Sequence, residues 1–155
     1  MNLAATPGAS LSRLVAIALF GIPICIWDLR HRRIPDRLTI SAFVTGGVLW
    51  VMTSQGPWWE MAIAVSLGLL IPLTARITTG GGLGWGDIKL SASLALFVGW
   101  PGILVALGAG AAVALGCVVV GGTSRNEAGV PFGPFLIVGA IIALTGEVLP
   151  GESFL

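Results

Sequence analysis

The sequence is poor in charge. Eight of its 155 residues are Lys or Arg and seven are Asp or Glu. That is 10% charged, against about 25% in a soluble domain. A chain that is 55% hydrophobic, with a mean hydropathy of +0.97, has too few polar residues to cover itself in water. A soluble globular domain is excluded, and an integral membrane protein remains. A net charge of +1 offers no basic surface for nucleic acid. Cysteine is scarce too. Cys25 and Cys117 stand alone inside apolar runs, which excludes zinc-ligand spacing, implies no disulfide and fits small apolar packing residues. The lone histidine, His31, sits among arginines and reads as a solvated interface residue. There is no soluble segment, no repeat and no long low-complexity stretch. What the chain has in quantity is glycine, 23 residues, which suits close helix packing in lipid.

Apolar segments of roughly membrane-spanning length fall at about 11–27, 38–53, 61–77, 87–99, 102–121 and 133–149. The fourth is short, so it tilts or begins earlier, within the glycine loop. Within the first, the apolar run Leu14 to Trp27 resembles a signal-peptide core. However, only Arg13 precedes it, no small-x-small cleavage site follows, and Arg30, Arg32 and Arg33 come after it, so it reads as a retained span inserted N-terminus outward. The expectation is an all-α bundle of six transmembrane helices that uses residues 1–155 as one membrane-embedded domain.

Basic residues set the orientation. Arg30, Arg32, Arg33 and Arg37 lie between spans one and two, Arg76 and Lys89 flank the third connection, and Arg125 lies in the fifth. The alternate connections, 53–60 and 99–102, hold no Lys or Arg, and the C-terminal end holds only Glu147 and Glu152. Both termini are therefore expected outside the cytoplasm, with Trp58, Trp59 and Trp100 at the outer interface. Only Arg13 runs against this pattern. Asp28 ends an inward-running span and Asp87 opens an outward-running one. Both acids thus fall at cytoplasmic ends, with Asp36 on the same side and Glu60 on the other. Glu127, in a polar loop, reads as solvated.

A carboxylate at the mouth of a membrane span is costly and usually functional. Two of them close together in a low-dielectric site do not both ionise easily, so one serves as acid while the other serves as base. Such a pair activates water against an amide carbonyl and protonates the leaving amine, with no metal and no nucleophilic Ser or Cys. Structural roles compete: Asp28 could pair with Arg30 or Arg32, and Asp87 could cap span four. In Gly80-Gly81-Gly82-Leu83-Gly84-Trp85-Gly86-Asp87-Ile88-Lys89-Leu90, Gly84 and Gly86 either permit positive φ or let another backbone approach Asp87. A phosphate loop does not fit, because the spacing is wrong and no Lys-Ser/Thr follows. Asp36, after Ile34-Pro35, reads first as a helix cap and second as a catalytic acid. Lys89 steers acidic substrate groups, holds Asp87 ionised, or simply marks the inner face. Pro131 and Pro134 around Gly133 break regular helix where span six opens, again on the cytoplasmic side. Segments 28–36, 84–90 and 131–136 thus converge on one face.

Asp28-Leu29-Arg30 with Ile34-Pro35-Asp36, then Gly84-Trp85-Gly86-Asp87-Ile88-Lys89-Leu90, then Pro131-Phe132-Gly133-Pro134-Phe135 together resemble the type IV prepilin peptidases, aspartic membrane proteases with a G-x-G-D motif. The resemblance runs in order along nearly the whole chain. It implies that Asp28 and Asp87 are the catalytic pair, and that Gly84, Gly86, Lys89, Pro131, Gly133 and Asp36 bind substrate or shape the site. It also implies cleavage of prepilin-like leader peptides at the cytoplasmic face of the inner membrane, after a glycine and before an apolar helix. No cofactor and no metal are expected. Bifunctional members carry an insert with paired C-x-x-C motifs and also methylate the new N-terminus. This sequence shows no C-x-x-C, so it resembles the short, peptidase-only forms and no methyltransferase activity is expected.

Two other readings stand beside this one. Presenilin-type proteases share G-x-G-D, but their first acid follows a Tyr, a residue this sequence lacks, and their third motif is Pro-Ala-Leu rather than Pro131-Phe132-Gly133. A non-catalytic transport or pilus-assembly protein would tolerate loss of either acid.

Overall fold

The computed structural model describes residues 7–31, 34–53, 56–80, 83–121 and 132–148, with side chains at 10–31, 34–53, 56–80, 83–116 and 132–146. Pro131, Arg32, Arg33, Arg125, Glu127 and Glu152, and the side chains of Cys117 and Glu147, lie outside them. Five helices appear: α1 (Pro7–His31), α2 (Asp36–Met52), α3 (Trp58–Thr78), α4 (Trp85–Gly121) and α5 (Gly133–Val148). Among the described residues there is no strand.

Prolines punctuate the helices. Pro35 and Pro57 occupy the N-cap positions of α2 and α3 with extended backbone (ψ 129° and 155°), where a missing N–H costs nothing. Pro23 and Pro72 lie inside helices, which a bundle tolerates when neighbouring groups satisfy the freed carbonyls.

The 37-residue α4 is not one rod. Gly99 carries φ 71° and ψ 179°, a left-handed conformation that a side chain would resist, and it splits α4 into a first arm, 85–98, and a second arm, 100–121. The neighbours show that the chain reverses there. Lys89 meets Asp36, Ser93 meets Thr39 and Phe97 meets Gly46, so the first arm runs parallel to α2. Arg13 meets Phe97, while Asp28 and Asp87 share a cavity, so α1 runs opposite to the first arm. Along α5, Gly133 meets Asp28 and Ile137 meets Gly21, so α5 runs opposite to α1. Gly102 faces Ala143, Ala106 faces Gly139 and Gly110 faces Phe135, so the second arm runs opposite to α5 and therefore to the first arm. With Arg76 of α3 stacked on Trp85, six helical segments alternate in direction. The expected break between residues 99 and 102 is present, as a single non-helical residue rather than a loop. As the sequence allows, α4 begins at Trp85, within the glycine loop.

The first arm is the axis of the bundle. Every residue from Ser91 to Val98 is buried, as befits a helix enclosed by α1, α2 and α3. Ile17, Ile24, Leu94, Phe97, Ile103, Leu136 and Leu144 complete the core. The exterior is equally apolar: Leu19, Val51, Met52 and Ile77 are all more than two-thirds exposed, which suits lipid and not water. Among the described residues, three stretches are long and apolar enough to cross a membrane: Ser10–His31, Trp58–Thr78 and Trp85–Gly116, the last containing the Gly99 reversal. Gly133–Gly146 is a shorter apolar helix.

Arg13, the residue that runs against the charge pattern, is only 4% exposed. Its guanidinium donates to the Phe97 carbonyl at 3.3 Å and to the Ser10 hydroxyl at 3.5 Å. The first arm ends at Gly99, so the carbonyls of its last turn lack helical donors, and Arg13 supplies one.

Candidate active site

Alternating direction brings the C-terminal end of α1, the N-terminal ends of α2, α4 and α5, and the C-terminal end of α3 to one end of the bundle. A cavity of about 340 Å³ opens there, lined by Asp28, Ile34, Asp36, Gly84, Trp85, Gly86, Asp87 and Lys89. Asp28 and Asp87, 59 positions apart in sequence, face the same space.

Asp28 is the inward residue of the last turn of α1; Trp27, Leu29, Arg30 and His31 around it are exposed. It is 5% exposed, and its Oδ2 has no hydrogen-bond partner among the described residues. It is therefore not the solvated acid that would pair with Arg30. A buried carboxylate oxygen without a donor is destabilising and calls for another explanation, such as a catalytic role. Gly133 lies against it, where a Cβ would come within 2.9 Å of that oxygen. The absence of a side chain at 133 thus makes room for the acid.

Asp87 sits in the first turn of α4. The helix opens with Ile88 N–H donating to the Gly84 carbonyl, so Gly84 is the N-cap residue and Asp87 the third helical position. Its Oδ2 accepts from the Gly84 N–H at 3.3 Å, the return half of a capping box. Asp87 is therefore not the N-cap that the sequence suggested; it bonds back to the N-cap N–H from inside the helix, and its carboxylate is anchored by backbone.

Neither Gly84 nor Gly86 has positive φ; among the described residues only Gly56, Gly80 and Gly99 do. No backbone is seen approaching Asp87 among the described residues; what packs close to Gly86 is the side chain of Ile34. A Cβ at Gly86 would lie 2.9 Å from the Ile34 Cβ. At Gly84 it would lie 3.1 Å from the Asp87 carboxylate.

Two further expectations are corrected. Asp36 does not cap α2: Pro35 is the N-cap, with no side-chain cap bond. Lys89 does not hold Asp87; it donates to Asp36 Oδ1 at 2.7 Å. The two correct each other, since an exposed amine reaches the exposed acid of the neighbouring helix more readily than a carboxylate already bonded to backbone. His31 is exposed, as expected, and stacks on Trp27 at 4.6 Å. Cys25 is a half-buried free thiol.

Ile34 and Trp85 escaped sequence reasoning. Ile34 wedges between Gly86, next to Asp87 on α4, and Gly133 of α5, which packs against Asp28. Trp85 lines the cavity with Arg76 over its ring at 4.9 Å, while Arg76 also donates to the Leu83 carbonyl. The paired gaps at Gly86 and Gly133 were the available signal for Ile34, but nothing in the sequence says which side chain fills them.

Fold and site define a class: an all-helical membrane protein with two acids facing one cavity at one end of its bundle. Residues 15–121 match the type IV leader peptidase family. The leader peptidase HopD of Escherichia coli is 28% identical over 153 residues, which cover 93% of this chain and 99% of that protein. A prepilin leader peptidase/N-methyltransferase of Burkholderia pseudomallei is 43% identical over 149 residues, 83% of this chain and 46% of that protein. Another from Xanthomonas campestris is 30% identical over 151 residues, 92% of this chain and 51% of that protein. The chain thus spans about half the length of those two relatives and nearly all of HopD. No solved structure matches it. The chain belongs to the type IV leader peptidase family and is a protease of the prepilin peptidase kind.

Proposed function

We propose that the chain is an aspartic endopeptidase that removes the leader from prepilin-like proteins, with Asp28 and Asp87 sharing the attacking water. The observation that carries this reading is the common cavity of the two acids. One carboxylate takes a proton from water, whose oxygen adds to the carbonyl carbon of the scissile bond. The other, protonated, gives its proton to the amine nitrogen as the C–N bond breaks. The products are the free leader and a mature chain with a new N-terminus. Gly84 and Gly133 leave room beside the two carboxylates, and Gly86 lets Ile34 close the wall.

We read the six helical segments as six membrane passes of one membrane-embedded peptidase domain, with termini outside and the acid end facing the cytoplasm of the inner membrane. The exposed basic residues support this, since Arg30, Arg37 and Lys89 all lie at the acid end. Trp58, Trp59 and Trp100, each exposed, lie at the opposite end.

The test is cleavage in liposomes of peptides that keep leader, junction and first apolar turns, by wild type, Asp28→Asn and Asp87→Asn. Cleavage by wild type alone is the expected result. Cleavage that survives in either variant removes that residue from the pair.

A further inference from the structure

α2 and α3 each pack against the first arm of α4 but scarcely touch one another. Between them runs an open groove of about 260 Å³. Ile40 and Phe43 of α2 form one wall and Leu69 of α3 the other, exposed by 60%, 42% and 41%. Ala92 and Ser93 of the first arm form a buried floor. The Ser93 hydroxyl already donates to the Thr39 and Lys89 carbonyls, so the floor is effectively apolar. Small floor residues between bulky walls admit another helix closely, which is how helices associate in lipid.

The groove has a direction. Along the first arm, from Ser93 through Lys89 to Asp87, its lining passes from apolar to charged to the acid pair. Lys89 borders both the groove and the acid cavity. A chain lying in the groove as a helix and unwinding at Lys89 arrives in the cavity as the extended peptide that water attack requires.

We propose that this groove docks the apolar membrane helix of the protein being cut, its first turns beyond the scissile bond lying on Ala92 and Ser93 between Phe43 and Leu69. The occupant is a protein helix rather than a lipid chain because the groove meets the acid cavity at Lys89, which lines both. The proposal rests on the peptidase reading and names how that site holds its substrate.

The experiment uses two peptides in liposomes, one with leader, junction and apolar helix, and one ending just past the junction. Wild type is expected to show a KM at least about tenfold lower for the long peptide, the effect of burying one or two apolar side chains, with similar kcat. Ala92→Leu, which fills the floor, is expected to collapse that ratio towards one. Photoreactive benzoylphenylalanine at position 43 or 69 in an Asp87→Asn chain is expected to label the long peptide. At position 22, exposed on α1 outside the groove, it is not. This labelling decides the matter if Ala92→Leu does not fold. Equal KM for both peptides in wild type, equal labelling from position 22, or labelling at 43 and 69 of lipid or a second copy alone overturns the groove while leaving the peptidase standing. Failure of wild type to cut either peptide overturns the peptidase reading, and the groove with it.

Discussion

Arg13 and Asp28 lie on the same helix, at opposite ends of the bundle, 4% and 5% exposed. Burial does not separate them; bonding does. Arg13 donates to Phe97 and Ser10, at the end where the first arm of α4 stops and the chain turns back. Asp28 keeps an oxygen with no partner among the described residues, at the end where a cavity opens onto Asp87. A buried charge that completes the bonding of a neighbour is structural, whereas one left incomplete beside a second acid is the better candidate for chemistry.

The most severe way to break this contrast is at the acid end. Asp28→Asn and Asp87→Asn should each lower the rate of leader cleavage by about a thousandfold or more, the scale of a lost general acid or base, measured under single turnover. Neither should lower the thermal midpoint in detergent much. A large loss of stability in Asp28→Asn would make that residue structural, like Arg13.

Gly133→Ala sharpens the comparison from the side of geometry. Its Cβ would fall 2.9 Å from Asp28 Oδ2 and 3.4 Å from Ile34 Cδ1, displacing one or the other. Activity should drop about ten- to a hundredfold, as for a displaced catalytic group, with the protein still folded by circular dichroism. Full activity would show that the acid does not need its present position.

Arg13→Met tests the other end. It leaves the Phe97 carbonyl without this donor, at a cost of about 1–3 kcal/mol in stability, read from denaturation in detergent. kcat at a temperature where the variant is folded should match wild type. The smallest effect belongs to Lys89→Gln. The ion pair it breaks is 48% and 63% exposed, so the stability change should stay below about 1 kcal/mol and shrink with salt.

Much of the fold could be read from the chain, because membrane spans declare themselves by length and hydropathy. The break after Val98 was visible as Gly99-Trp100-Pro101-Gly102, and Asp28 and Asp87 stood out as acids at span mouths. Asp36 and Lys89 were found as residues but not as a pair. Their bond joins helices 53 positions apart, and local capping chemistry pointed each of them elsewhere. Arg13 looked like an exception to a charge rule, because that rule counts residues at membrane surfaces and this one is inside. Its partner, Phe97, is 84 positions away.

By itself the sequence determined that this chain belongs in a bilayer, that it is helical, and which two acids are out of place there. Hydropathy and the cost of a charge in lipid act locally, so the sequence carries them openly. The tertiary structure alone decided that Asp28 and Asp87 face one cavity, that Ile34 fills the space left by Gly86 and Gly133, and that α2 and α3 stand apart over the first arm. Those outcomes depend on which helix faces packed together, and packing is a property of pairs of segments rather than of any one of them.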